Sequence, residues 1–482
     1  MNQPNPDQKF RLDDRIVSVL SFSLLFGYLL AFVFEGQVLY RIMAHFQIKA
    51  IPFIFASIIA HFFGLLASGV LFAPFFGARK TMLFGIFTAI AATLPFFFLP
   101  HPIVWLTALI ASAFGCGLAV AAWGYYLKAC TPRNQRYKTA ADVLIYSNII
   151  MLAANGLATY LNPVAGLAMC LLAILSAMYF TWRLPDDLQM ADNPKLLPGN
   201  RSVSLVKPVM ILIVFILILT INSGFMYQVV APAYDQIEWL SGWYWALPYI
   251  IALIVIRHLL QRGSRPHLLY VGVALLMLSF LFFQLPVHDA WSYLLVDTPM
   301  LGACGIFDLF WWSIIGEILE YSRNTVRTAG VCISANVLGV LLGGLLGQVI
   351  STAGISVSHV TVTIIALVII CITTALLPLL NMFLVGILKN HVYLYAFSGT
   401  PGNYRTDIIE QDHALAPLSA REKEVLALIL TARTNRGIAA ALHISEDTVK
   451  THIKNIYGKY DVASRAELIT LVLKNQADVT IG

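Results

Sequence analysis

The stretch Thr448–Tyr460, TVKTHIKNIYGKY, decides how the end of this chain folds. Val449, Ile453, Ile456 and Tyr460 recur at i, i+4, i+7 and i+11, the spacing of one helical face, and a stripe of that kind must be buried against something. Asp447, Lys450, Thr451, Lys454 and Gly458 then share the opposite side, and Ser445 stands where a helix N-cap is expected. A short basic face carrying hydroxyls fits a major groove: long cations reach guanine edges or phosphates, and a threonine methyl can touch thymine.

The residues on either side extend the pattern. Leu418-Ser419-x-Arg421-Glu422-x-Glu424-Val425-Leu426 predicts a first helix and Asn435-Arg436-x-Ile438-Ala439 a second. The quoted helix follows as Thr448-Val449-Lys450-x-His452-x-x-x-Ile456-x-x-Lys459, and Ser464-Arg465-x-Glu467 opens a fourth. Over about 56 residues this resembles the DNA-binding domain of the LuxR/FixJ family. The resemblance implies a small four-helix, helix-turn-helix domain in which Lys450, Thr451 and Lys454 face bases while Thr448, Asn455 and Lys459 lie near phosphates. Departures are Ala432 where the family often has Gly, Gly437 where it often has an acidic residue, and Tyr460-Asp461 for the common Leu-Gly. Gly437 weakens its helix by about 1 kcal/mol. From Pro417 to Lys474 nine Lys and Arg stand against six Asp and Glu, enough for weak attraction to phosphate. The apolar stripe Leu468, Leu471 and Val472 either forms a dimer contact, as in the family, or closes the domain core. Pairing about a two-fold would predict a palindromic operator.

Upstream the composition changes character. Of 482 residues, 59% are hydrophobic and 12% charged, about half the charged share of an ordinary soluble protein. Apolar runs near the ~20 residues that cross a bilayer lie at 16–40, 51–75, 81–99, 102–128, 140–162, 163–182, 208–232, 239–260, 267–286, 291–319, 328–350 and 358–387. The fifth and sixth are divided only by the turn-favouring pair Asn162-Pro163. With the N-terminus inside, the inner segments carry eighteen Lys and Arg, and the outer loops only Arg41 and Lys49. That asymmetry predicts both termini in the cytoplasm. The six cysteines lie within or beside apolar segments, in no metal-ligand spacing.

The spans repeat at an offset of 188 residues: Gly36 with Gly224, Cys116-Gly117 with Cys304-Gly305, Trp123 with Trp311, Asn148 with Asn336, Gly156 with Gly344. Two six-span halves of the same topology are the parallel-repeat pattern of a 6+6 transporter. Here residues 10–390 resemble the major facilitator superfamily. The family's basic motif survives as Gly77-Ala78-Arg79-Lys80, echoed by Gly263-Ser264-Arg265, without the acidic residue usual before the Arg.

Ionisable residues deep in spans mark function. Glu35, His61, Asp297, Asp308 and Glu317 are the candidates, with His61 expected in helix packing and Glu317 and Glu320 expected to pair with Arg323 or Arg327. By resemblance spans 1, 4, 7 and 10 line a central cavity, which favours Glu35 and Asp308. Along the same spans Trp123, Tyr227, Gln228 and Trp311 complete a ligand site suited to a small, partly aromatic or cationic molecule.

The expected architecture is all-α. A cytoplasmic segment 1–15 leads to a twelve-span domain 16–387, a linker 388–416, a helix-turn-helix domain 417–475 and a tail 476–482. The expected setting is the bacterial cytoplasmic membrane. No nucleotide-binding loop, kinase signature or catalytic triad stands out, so no enzyme activity, metal or cofactor is expected. The residues imply a one-component membrane regulator, with promoter DNA, a small-molecule ligand, lipid and a second copy of the chain as partners. The alternative is a working secondary transporter with a regulatory tail, which the missing acidic residue disfavours.

Overall fold

The structure, a computed structural model, describes residues 6–34, 36–132, 135–185, 206–226, 230–237, 240, 243–261, 268–285, 289–352, 359–385, 418–430, 435–460, 462 and 467–468. They form two compact units, Met1–Phe397 and Ser398–Gly482. Among the described residues the regular structure is helical throughout, as the all-α expectation required.

A chain this apolar has little choice inside lipid, where every backbone N–H and C=O must be satisfied within the segment. All twelve expected runs carry an apolar helix. Eight helices are long and apolar enough to cross a membrane, and three more, Val209–Phe225, Ala246–Leu259 and Leu268–Phe282, are apolar but shorter as described. One of the eight, Ile51–Phe98, spans 48 residues and holds the second and third runs together.

The first half comprises α1 (Pro6–Tyr28), α2 (Gln37–His45), α3 (Ile51–Ala67), α4 (Ala73–Thr93), α5 (Pro102–Ala129), α6 (Arg136–Tyr160) and α7 (Pro163–Trp182). The second comprises α8 (Val206–Phe225), α9 (Ala246–Gln261), α10 (Leu268–Phe282), α11 (Ala290–Ile318), α12 (Thr325–Thr352) and α13 (His359–Val385). The sequence signals for several boundaries have visible causes. Asn162 caps α7 by accepting the Ala165 N–H at 2.7 Å, with Pro163 at the first helical position, so the predicted split of the fifth and sixth spans holds. Asp289 caps α11 in the same way through Ser292. Gly77, at φ 79°, turns the chain inside the 73–93 segment, a conformation that favours glycine. Span 1 is interrupted after α1 by a π-helical turn, Leu29–Val33, an irregularity common at functional sites.

Within the second half α8 packs closely on α12 and α13, and α11 on α9 and α10. The halves meet where α12 packs on α3 and α5, and where α9 and α11 pack on α6. Two ion-pair sites join them at one end. Asp142 of α6 accepts from Arg15 of α1 at 2.8 Å and from Arg257 of α9 at 2.7 Å. Arg136 pairs with Glu320 at 2.7 Å, both buried, and also donates to the Gly316 carbonyl at 2.9 Å. Glu320, expected to pair with Arg323 or Arg327, also has Arg136 as a partner, a cation buried with it. Arg79 of the basic motif donates to the Leu184 carbonyl at 3.1 Å.

The second unit contains α14 (Ala420–Leu430), α15 (Asn435–Leu442) and α16 (Glu446–Tyr460) around its own core. The expected fourth helix is described only at Glu467 and Leu468.

Candidate functional site

Inside the membrane unit a cavity of about 200 Å³ lies between the halves. Its wall is mostly apolar, with Phe26 and Leu30 from span 1, Met151 from α6, Met226 from α8 and Val340 from α12. Into this wall are set a few polar groups, as is usual for small-molecule sites. Asp308 and Trp311 are one helical turn apart on α11, and Trp312 is stacked on Trp311 with ring centroids 5.0 Å apart. Both carboxylate oxygens of Asp308 already accept one neutral donor each, the Tyr249 O–H at 2.8 Å and the Trp311 indole N–H at 3.0 Å. Among the described lining residues Asp308 is the one carboxylate, and none is Lys or Arg.

The internal repeat reappears in the cavity. Asn148 of α6 and Asn336 of α12, which match at the 188-residue offset, both line it. A second, smaller pocket of about 20 Å³ adjoins the first and shares Ser223, Met226, Cys304 and Asp308 with it. Asn222 lines only this annex; it is 3% exposed, and neither its amide nitrogen nor its carbonyl oxygen has a hydrogen-bond partner among the described residues.

Of the six residues expected at the ligand site, Asp308 and Trp311 line the cavity together. Trp123 stands behind the wall: its ring stacks on Phe22 at 3.9 Å and meets Trp312 edge-on at 6.0 Å, and its indole N–H donates to Ser18. Glu35, Tyr227 and Gln228 lie outside the described residues. His61 is buried, as expected for helix packing, with Nδ1 3.1 Å from the Ala113 carbonyl, yet it also borders the cavity. Sequence reasoning passed over Trp245 and Tyr249 on span 8, because it searched only spans 1, 4, 7 and 10. The repeat pair Asn148 and Asn336 was a usable signal for the cavity that was read only as evidence of duplication.

In the second unit the local chemistry of the helix-turn-helix is complete. Ser419 and Glu422 form a reciprocal capping box: the Ser419 N–H donates to the Glu422 carboxylate at 2.7 Å, and the Glu422 N–H donates to the Ser419 hydroxyl at 3.3 Å. Ser445 caps α16 by accepting the Thr448 N–H at 3.1 Å. Between α15 and α16 the chain turns through His443 in the left-handed region, φ 52°. Val449, Ile453, Ile456 and Tyr460 are all buried, against Val425, Leu426, Ile429 and Ile438.

The six expected contact residues Thr448, Lys450, Thr451, Lys454, Asn455 and Lys459 are all exposed on α16. Lys450 pairs with Asp447 at 2.8 Å in open solvent, which holds the Asp447 carboxyl below its usual range and raises the Lys450 ammonium above its own. That ammonium stays charged, and an exposed pair is readily exchanged for a phosphate or a base edge. Lys459 is committed inward: its ammonium lies 2.7 Å from Glu422. That ammonium and then the Ser419 N–H hold the Glu422 carboxyl down at about 2.

The comparisons fall on the two units separately. Residues 416–472 match the family model of bacterial regulatory proteins, luxR family. The chain is 47% identical over 57 residues to the uncharacterized transcriptional regulatory protein YhcZ of Bacillus subtilis (strain 168), covering 12% of this chain and 27% of that one. It is 36% identical over 67 residues to the putative HTH-type transcriptional regulator YhjB of Escherichia coli (strain K12), covering 14% and 34%. Of these two relatives the chain thus spans only about a quarter to a third. The proton:xylose symporter XylE of the major facilitator superfamily superposes with a TM-score of 0.61 at 13% identity, covering 80% of this chain and 96% of that one. The human organic anion transporter MFSD10 gives 0.55 at 13% identity, covering 77% and 100%. At such identities the likeness is one of fold. Residues 416–472 are therefore a luxR-family regulatory domain, carried by a multi-pass membrane protein whose remaining helices have the major facilitator fold.

Proposed function

We propose that this protein is a one-component membrane regulator: a small molecule held in the cavity between the halves biases the placement or pairing of the luxR-family domain, which binds promoter DNA. The observation that carries the reading is the presence, on one chain, of a mostly apolar cavity set with a few polar groups within apolar spans and a basic helix face over an intact core. The excess of Lys and Arg in alternate loops supports a bacterial cytoplasmic membrane with both termini inside, where DNA is within reach. Lys450, Thr451 and Lys454 contact bases, and Thr448 and Asn455 the backbone. Lys459, held by Glu422, braces the recognition helix instead. A net charge of +3 on the domain favours two copies on a two-fold operator for tight binding.

Switching requires that the ligand bind one arrangement of the halves better than the other, by roughly 1–3 kcal/mol for a useful response. The test joins both ends of the chain. Lys454→Ala abolishes retention of promoter DNA in a gel-shift assay, while Asp308→Asn leaves DNA binding intact and flattens the response of a promoter fusion to inducer. Unchanged DNA binding in Lys454→Ala removes α16 as the reader.

The retained two-half fold around a cavity favours one second reading, a secondary transporter whose tail regulates genes. Uptake by proteoliposomes separates the two. Binding without net flux supports the regulator, and proton- or sodium-driven accumulation supports the transporter.

A further inference from the structure

The cavity and its annex meet at one carboxylate. Asp308 borders both, and its two hydrogen bonds come from neutral donors, which leave its negative charge without a cation among the described lining residues. Two neutral hydrogen bonds offset only part of the cost of placing a carboxylate in an apolar interior. The second observation is independent. Asn222 projects into the same annex, 3% exposed, with its amide nitrogen and carbonyl oxygen both unpartnered among the described residues. A buried amide left without partners is costly, so this one awaits a group that can hydrogen-bond to it.

We propose that the ligand is a small primary amine bound as its ammonium ion, with the charged head in the annex between Asp308 and Asn222 and a single flat ring or similar apolar body in the main cavity. This deepens the reading of the cavity as a ligand site and rests on it. An annex of about 20 Å³ holds one water-sized group, and an –NH₃⁺ is of that size. Its three N–H donors suit the acceptors of the annex, the remaining lone pairs of Asp308 and the Asn222 carbonyl; the Asn222 NH₂, itself a donor, is not served by an ammonium. The stacked Trp311 and Trp312 rings and the apolar wall of the main cavity suit a flat ring. An anionic ligand would face Asp308 with no described Lys or Arg to receive it. A neutral alcohol would leave the carboxylate charge unmatched.

The experiment reads binding by quenching of intrinsic tryptophan fluorescence in the full-length protein, purified in detergent without DNA. The probes are phenethylamine and tryptamine, with 2-phenylethanol as the neutral isostere, phenylacetate as the anion and trimethyl-phenethylammonium as a cation too bulky for the annex; the tryptamine arm is read by equilibrium dialysis, because its own indole fluoresces. At least one primary amine is expected to bind, at least tenfold more tightly than the alcohol, the acid and the trimethylated cation. Asp308→Asn loses that preference, and Asn222→Leu weakens amine binding several-fold. Binding of neither amine, equal binding of the alcohol or the acid, or undiminished amine binding by Asp308→Asn overturns the proposal. The trimethylated probe needs no variant, so the annex is tested even if a substitution prevents folding; binding as tight as the primary amine removes it. Because DNA and transcription play no part in the measurement, failure of the regulatory reading leaves the result standing.

Discussion

Glu422 shows how much one side chain fixes in the small unit. Its carboxylate closes the capping box at the start of α14 and receives Lys459 from the far end of α16, so a single acid ties the first helix to the recognition helix. Held at about 2 against an ordinary 4.5, it contributes stability that is fully present above pH 4.5 and is lost as pH falls through that value towards 2. Charge-assisted hydrogen bonds of this kind are worth about 2 kcal/mol. Glu422→Gln in a fragment spanning 398–482 is therefore expected to lower stability at pH 7 by about that amount, and the gap from wild type should close between pH 5 and pH 2. Urea midpoints taken across that range check it, and parallel pH curves would assign the acid sensitivity elsewhere. The burial of Val449, Ile453, Ile456 and Tyr460 was legible from period alone, because a helix repeats its faces locally. The inward commitment of Lys459 was not, because its partner lies 37 residues away and no local rule reaches that far.

At the scale of elements, the tightest joint in the second half is between α8 and α12. Gly339 and Gly343, four residues apart on α12, bring the two backbones together: a Cβ at Gly343 would stand 2.1 Å from the Ile221 carbonyl oxygen, and one at Gly339 would lie 2.5 Å from that of Leu217. In lipid no hydrophobic drive pushes helices together, so close contact between small residues is a main source of their association. Gly343→Val must part the helices, and overpacking of this sort costs about 1–3 kcal/mol. Gly156→Val serves as the control, since nothing lies within 4 Å of a Cβ there. The expected outcome is a lower midpoint for Gly343→Val in heated size-exclusion profiles, with Gly156→Val close to wild type. Equal profiles would deny the joint its importance. The existence of these helices was legible, because span length and apolarity are composition; the split at Asn162-Pro163 was legible because proline and a capping Asn act on their neighbours. The π-helical turn at Leu29–Val33 and the placing of Trp245 and Tyr249 on the cavity wall were not, since both depend on what the neighbouring spans leave open.

Across the whole membrane unit, the two halves form a bistable element only if the contacts between them can be exchanged. Arg136 and Glu320 are poor candidates for adjusting that balance, because removing one partner of a buried pair costs about 3–5 kcal/mol and threatens the fold. Asp142 is better placed, since it joins Arg15 of its own half to Arg257 of the other, and both of those cations are partly reached by solvent. Asp142→Asn weakens the joined arrangement without emptying the site of polar atoms. If ligand binding and promoter output draw on the same two arrangements, linkage ties their responses together. A variant that favours the ligand-preferred arrangement must both tighten ligand binding and move uninduced output in the direction inducer moves it; one that disfavours it must do the reverse. A shift of 1–3 kcal/mol changes either quantity by roughly 5- to 150-fold before saturation. Measuring inducer affinity on purified Asp142→Asn beside the output of its promoter fusion decides the matter. Changes that agree in sign support one shared switch, whereas altered affinity with unchanged output, or changes of opposite sign, would show that the cavity and the DNA-reading domain do not share an equilibrium.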